Sequence, residues 1–213
     1  MASPGNRGLT DYYPVMVLPP ELLRDVSRDE VNELPIRRYE GPVVLIETAP
    51  MLEAAMADLR AERVAGFDTE TRPAFRVGVS YPPALAQLAT ARAVYLFPLQ
   101  RLDFEPEIAE LMASERLVKA GVSVKDDVRQ LQKLFSFEGK SIVDLGDVAR
   151  RHGLKQSGVR NLAGLFLGYR VPKGSKTSNW AAARLSAQQI TYAATDAWVC
   201  RELYLKFESL GLL

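Results

Sequence analysis

Two apolar runs, PVVLIET (residues 42–48) and RVAGFDTE (63–70), flank the stretch APMLEAAMADLRAE (49–62), whose apolar residues recur at three-to-four spacing. That order predicts strand, amphipathic helix and buried strand, and so a sheet covered by helices. Two further β-like runs, ALAQLAT (84–90) and AVYLFPL (93–99), are separated by a few residues and expected to pair antiparallel. The pattern then alternates: EPEIAELMASE as helix, LVKAGVS as strand, KDDVRQLQKLF as helix, SIVDLGDVARRHG as a short strand running into a helix, and GVRNLAGLFLG as helix. A long closing helix is predicted from about Ser186, ending at Gly211. The fold class is therefore one α/β domain with a mixed sheet flanked by helices.

Residues 1–41 read as an N-terminal arm with a short polar helix in ELLRDVSRDEVNEL, and residues 42–213 as the domain itself. At 213 residues and 47% hydrophobic content, one core with a small appendage is expected. The sequence holds no apolar run of membrane-spanning length, and MASPGNRGLTDYYP lacks the pattern of a secretory signal. A cytoplasmic, non-secreted, non-membrane chain is expected. The lone Cys200 has no Cys or His at metal-binding spacing and reads as a small buried hydrophobe.

Charge is informative only once mapped. From Val148 to Thr195 there is no Asp or Glu, while eight basic residues fall there, among them Lys173, Lys176 and Arg184. Of 27 basic and 26 acidic residues, this leaves 19 against 26 elsewhere. Such asymmetry suits a polyanion on one face, although a solvated face paired with acids from elsewhere reads equally well from charge alone.

Two carboxylate pairs carry the chemistry. Asp68 and Glu70 lie two apart at a strand end, so both project from one face. Oxygen ligands so placed suit Mg²⁺ or Mn²⁺, which would relieve their mutual repulsion. Taken alone the pair reads as well as a solvated loop pair. Tyr192 and Asp196 lie four apart on the closing helix, one turn from each other on one face. A tyrosine packed on the core and bonded to the aspartate is the plainer reading of that pair.

Taken together, GFDTE, KAGVSVKDDVRQL and SNWAAARLSAQQITYAATDA resemble the three successive motifs of DEDDy-type 3′-5′ exonucleases, the family of ribonuclease D and the Werner-syndrome exonuclease domain, over roughly residues 42–210. The resemblance implies a ribonuclease H-like fold and hydrolysis of phosphodiester bonds from a 3′ end, releasing nucleoside 5′-monophosphates from DNA or RNA. It makes Asp68, Glu70, Asp127 and Asp196 ligands of two divalent ions, Mg²⁺ or Mn²⁺, and Tyr192 the residue that orients the attacking water. Asp68 would bridge the ions, with Glu70 and Asp196 on the water side and Asp127 on the other. The family spacing from Gly121 favours Asp127 over its neighbour Asp126, which suits a helix N-terminus instead. The sister branch has a histidine five residues before the last aspartate. Here that position is Thr191, and the lone His152 reads as bordering a helix end.

Lys173, Lys176 and Arg184 are the candidate substrate-binding cations, and Trp180 a packing anchor. Where many ribonuclease D-like sequences have Arg-Pro-Leu before the closing helix, this chain has Ala183, Arg184 and Leu185. The implied partner is a nucleic acid with a free 3′ end, single-stranded or frayed. Because the chain ends seventeen residues after Asp196, a free-standing catalytic domain is expected, with weak processivity or an oligomer as compensation. The competing readings are a catalytically silent nucleic-acid-binding module and a polymerase-associated proofreading subunit.

Overall fold

The computed structural model describes residues 18–76, 78–100, 104–174 and 178–213. Among these residues six strands form one sheet in the order β1-β4-β3-β2-β5-β6. They are β1 (Val43–Leu45), β2 (Val64–Thr71), β3 (Pro83–Ala89), β4 (Val94–Pro98), β5 (Val118–Gly121) and β6 (Ile142–Asp144). β2, β3 and β4 run antiparallel, as expected of the hairpin. β1 joins β4, β5 joins β2 and β6 joins β5, all parallel. The sheet is mixed, and β2 and β3 lie at its centre.

Helices cover both faces. α2 (Ala49–Ala61), α3 (Glu105–Ala113) and α4 (Val124–Leu134) pack with Ala65 and Phe67 of β2 into one apolar cluster. The long α7 (Ala187–Ser209) crosses the other face, with Ala193, Ala194 and Ala197 against Leu85, Ala89, Val94 and Leu96. Its start is well specified: the Ser186 hydroxyl accepts from Gln189 N at 3.2 Å, and Gln189 Oε1 accepts from Ser186 N at 2.9 Å. Beyond α7, on the same side, α5 (Leu145–Arg151) and α6 (Val159–Leu162) complete a third cluster.

Two expectations are corrected. ELLRDVSRDEVNEL is not one helix: a 3₁₀ turn at Pro20–Leu22 is separated from α1 (Arg28–Glu33). Ser27 accepts from Glu30 N and starts the helix afresh, so the local cap competes with continuation from upstream. GVRNLAGLFLG is α-helical only through α6, after which Ala163–Leu167 widen into a π-helical turn ending at Gly168, φ 71°. The described part of the N-terminal segment packs onto the domain, where Leu18, Val26 and Val31 are buried. Arg37 N donates to Arg170 O, and Arg170 N to Pro35 O. Among the described residues no helix is long and apolar enough to cross a membrane.

Candidate active site

The site forms where α7 crosses β2. A side chain at Gly66 would come within 1.9 Å of the Ala197 carbonyl, so only glycine lets the helix backbone approach the strand this closely. That approach brings residues 192 and 196 over 68 and 70. Carboxylate oxygens of Asp68, Glu70 and Asp196 all lie within 4.8 Å of one another. The Tyr192 hydroxyl donates to Asp196.

The fourth acid arrives from the opposite face. Asp127 lies in the first turn of α4, outside that group of three, and accepts from the Thr69 hydroxyl at 2.5 Å. Because side chains alternate along a strand, Thr69 points away from Asp68 and Glu70 and toward α4. Asp126 is turned to solvent, with Arg129 at 3.0 Å. The turn into α4 passes through Ser123 at φ 65°, a left-handed conformation. The buried carboxylate of Asp144 stabilises it, accepting from Ser123 N at 3.2 Å and from Gly146 N and Asp147 N as the cap of α5.

Electrostatics follow from burial and crowding. Asp68 is held well above the usual carboxylate range by desolvation first, and then by the charges of Asp196, Asp127 and Glu70. Asp127 is also raised by burial, against the lowering effect of the Thr69 bond. Burial, reinforced by the charge of Asp196, pushes the Tyr192 phenol above its ordinary value, so at neutral pH it is a protonated donor. The Cys200 thiol, buried beside these carboxylates, is raised well above its usual value and kept neutral. A carboxylate cluster offering only oxygen donors, with its one nearby thiol neutral, fits hard divalent cations such as Mg²⁺ or Mn²⁺.

A cleft of about 600 Å³ reaches Asp68 and Asp196, with Tyr192, Lys173, Arg160 and Asn161 on its walls. A second, of about 610 Å³, shares Lys173, Gly174 and Tyr192 with the first and adds Arg38, Trp180 and Gln188. Gly174 lies on the Tyr192 ring so closely that a Cβ there would fall 1.6 Å from it. Trp180 is buried and packs on the same ring at 6.1 Å between centroids, which agrees with its reading as an anchor.

Of the three candidate cations, Lys173 lines both clefts. Arg184 is exposed ahead of α7 and lines neither, and Lys176 lies outside the described residues. His152 ends α5 and its ring meets the Leu212 carbonyl at 3.0 Å. Sequence reasoning gave no role to Thr69, Asp144 or Arg38, and counted Arg160 only as one of the eight cations of the acid-free segment. Alternation within Asp-Thr-Glu pointed Thr69 to the opposite face, and an Asp just before a helix is a cap signal. Nothing local marked Arg38.

A mixed sheet in this order, with acids from its central strand and from the helix across it, defines a ribonuclease H-like nuclease. The chain belongs to the 3′-5′ exonuclease family, which it matches over residues 43–211. It is 30% identical over 191 residues to the bifunctional 3′-5′ exonuclease/ATP-dependent helicase WRN of Mus musculus, covering 84% of this chain and 14% of that one. It is 31% identical over 166 residues to ribonuclease D of Acidiphilium cryptum, covering 76% and 41%. The chain thus spans a minor part of these relatives. Among solved structures it resembles the Nibbler EXO domain of Aedes aegypti, with a TM-score of 0.71 and 27% identity over 82% of this chain and 90% of that one. Members of this family are hydrolases of phosphodiester bonds.

Proposed function

We propose that this chain removes nucleotides one at a time from the 3′ end of a single-stranded or frayed nucleic acid, releasing nucleoside 5′-monophosphates. One observation carries the reading: acids from distant motifs converge at the crossing of β2 and α7, with a protonated tyrosine bonded to one of them. Asp68, Glu70, Asp127 and Asp196 would hold two divalent ions, Mg²⁺ or Mn²⁺. Such ions lower the pKa of water, and stabilise charge on the phosphate and on the departing 3′ oxygen.

The chain's own residues do the rest. Tyr192 donates to Asp196 and keeps a lone pair for the attacking water, so it orients that water and removes no proton from it. Thr69 fixes Asp127, and Asp144 fixes the turn from which Asp127 projects. Lys173 meets the phosphates in the cleft, and Lys176 and Arg184 extend that contact along the strand, giving salt-sensitive binding with little sequence preference. Residues 42–213 form the catalytic unit, and residues 1–41 an arm that contributes Arg38 to the second cleft. The cytoplasm, which holds such substrates, is the proposed location.

The test uses 5′-labelled single-stranded DNA and RNA of matched sequence, with Mg²⁺, Mn²⁺ or EDTA, beside Asp68→Ala. A metal-dependent ladder shortening from the 3′ end, lost in the variant, is expected, and the faster strand gives the sugar preference. Binding of both strands with no shortening under either metal would leave a catalytically silent binding module in its place.

A further inference from the structure

Gln87 sits at the centre of β3 with none of its surface exposed, and neither amide atom has a hydrogen-bonding partner. A buried amide left so costs free energy that a leucine or methionine in its place would not. The strand register says what surrounds it. Asp68 lies directly opposite on β2, and Leu96 directly opposite on β4. Opposed side chains share a face and stand side by side. The neighbouring rows of that face hold Gly66, Ala89 and Val94 on one side, and Glu70, Leu85 and Pro98 on the other. Alanines of α7 and Trp180 pack over the same face. Among the described residues, the polar groups near this row include the carboxylates of Asp68 and Glu70 and the indole Nε1 of Trp180, itself buried without a partner, while Tyr39 and Tyr192 pack against the same cluster.

We infer that Gln87 is a positioning residue for the metal site: when a divalent ion is bound, its amide N–H turns along the sheet to the Asp68 carboxylate and fixes the orientation in which that carboxylate holds the ion. Asp68 Oδ1 already accepts from Thr69 N at 2.9 Å, and Gln87, directly opposite on the neighbouring strand, is placed to supply a second donor once the ion is bound. The amide is then costly to the fold and useful to the site. This inference rests on the proposed reading of the acidic cluster as a metal site.

The experiment compares the full chain with Gln87→Met and Gln87→Leu, two apolar replacements of similar size. Mn²⁺ affinity is measured by calorimetric titration, and thermal unfolding is followed in EDTA. Both variants are expected to unfold in EDTA at or above the temperature of the parent. Their Mn²⁺ dissociation constants rise roughly tenfold to a hundredfold, the usual reach of groups behind a metal ligand. The Mn²⁺ concentration for half-maximal hydrolysis rises in parallel, while the rate at saturating Mn²⁺ recovers. Dissociation constants within about twofold of the parent would overturn the assignment. A lower unfolding temperature with unchanged Mn²⁺ affinity would do so too, giving Gln87 to the Trp180 indole and the core. If the parent itself binds no Mn²⁺, the reading of the cluster fails and this inference with it. If the parent binds and the variants bind equally, only the inference about Gln87 fails.

Discussion

Along β2, Ala65 and Phe67 pack into the cluster made with α2, α3 and α4, while Gly66, Asp68 and Glu70 face α7. On the first face the buried side chains Lys119 and Tyr95 have partners of good geometry, although Glu107 Oε2 on α3 has none. Lys119 Nζ donates to the carbonyls of Ser114 at 2.7 Å and Leu117 at 2.8 Å, and the Tyr95 hydroxyl donates to Asp58 at 2.9 Å. On the α7 face the strand carries crowded carboxylates, and the partnerless amide of Gln87 stands beside them. One strand thus borders two kinds of interior. The first stabilises the chain; the second stores unfavourable electrostatics that a cation would relieve.

The largest expected effect lies on the α7 face. Tyr192→Phe keeps the ring that Gly174 and Trp180 pack on and removes only the hydroxyl. Turnover is expected to fall by roughly 10² to 10⁴ with unfolding little changed, as for a positioned acid–base participant. Hydrolysis retained within about threefold would remove Tyr192 from the mechanism. Its neighbour across the strand should do the opposite. Phe67 is fully buried, and Phe67→Ala is expected to cost about 3 to 5 kcal/mol in urea unfolding while the folded protein keeps its Mn²⁺ affinity. A cost under about 1 kcal/mol would show that this face does not hold the strand.

Thr69 lies on the boundary, on the α4 side of the strand but bonded to the proposed ligand Asp127. Removing a hydroxyl donor to a charged acceptor costs about 1.5 kcal/mol or more, so Thr69→Val should lower kcat/KM by about tenfold through misplacement of Asp127. Full activity in this variant would mean that Asp127 is held by α4 alone. The comparison would then be sharper still, with the chemistry confined to the α7 side.

How much of this was legible in the sequence depends on the range of the signal. Asp68 with Glu70, and Tyr192 with Asp196, follow from strand and helix periods, and the structure places each pair as those periods require. The break at Ser27 was also local, since Ser-x-x-Glu is a capping signature, but the polar run around it obscured the restart. Gln87 and Lys119 were not legible. In ALAQLAT and LVKAGVS each reads as the polar position of a half-exposed strand, yet β3 and β5 are covered on both faces and both residues are buried. What covers a strand is fixed by partners far away in sequence, and no window along the chain contains them. The same holds for Thr69 with Asp127, and for Arg38, which the arm brings to the second cleft.

Lys119 gives the smallest effect. Its ammonium is fully buried, and desolvation pulls its pKa down from 10.5 to about 8. A base depressed in the folded state is more protonated in the unfolded chain between those values, so stability rises with pH from about 8 toward 10.5 and is lost as pH falls through about 8. Cys200, raised by burial, opposes this above its ordinary 9.0, and Tyr95, pushed up to about 12, opposes it above 10.0. The parent's own profile therefore mixes several groups, and the difference between parent and Lys119→Met isolates one. In EDTA, Lys119→Met leaves the two carbonyls without their donor at every pH, a constant loss. On top of that loss, the parent's advantage should grow between pH 8 and 10, the window that the depressed value opens. A flat difference across that window would mean that the two carbonyl bonds fully offset the desolvation of the ammonium, making this face better satisfied than its burial implies.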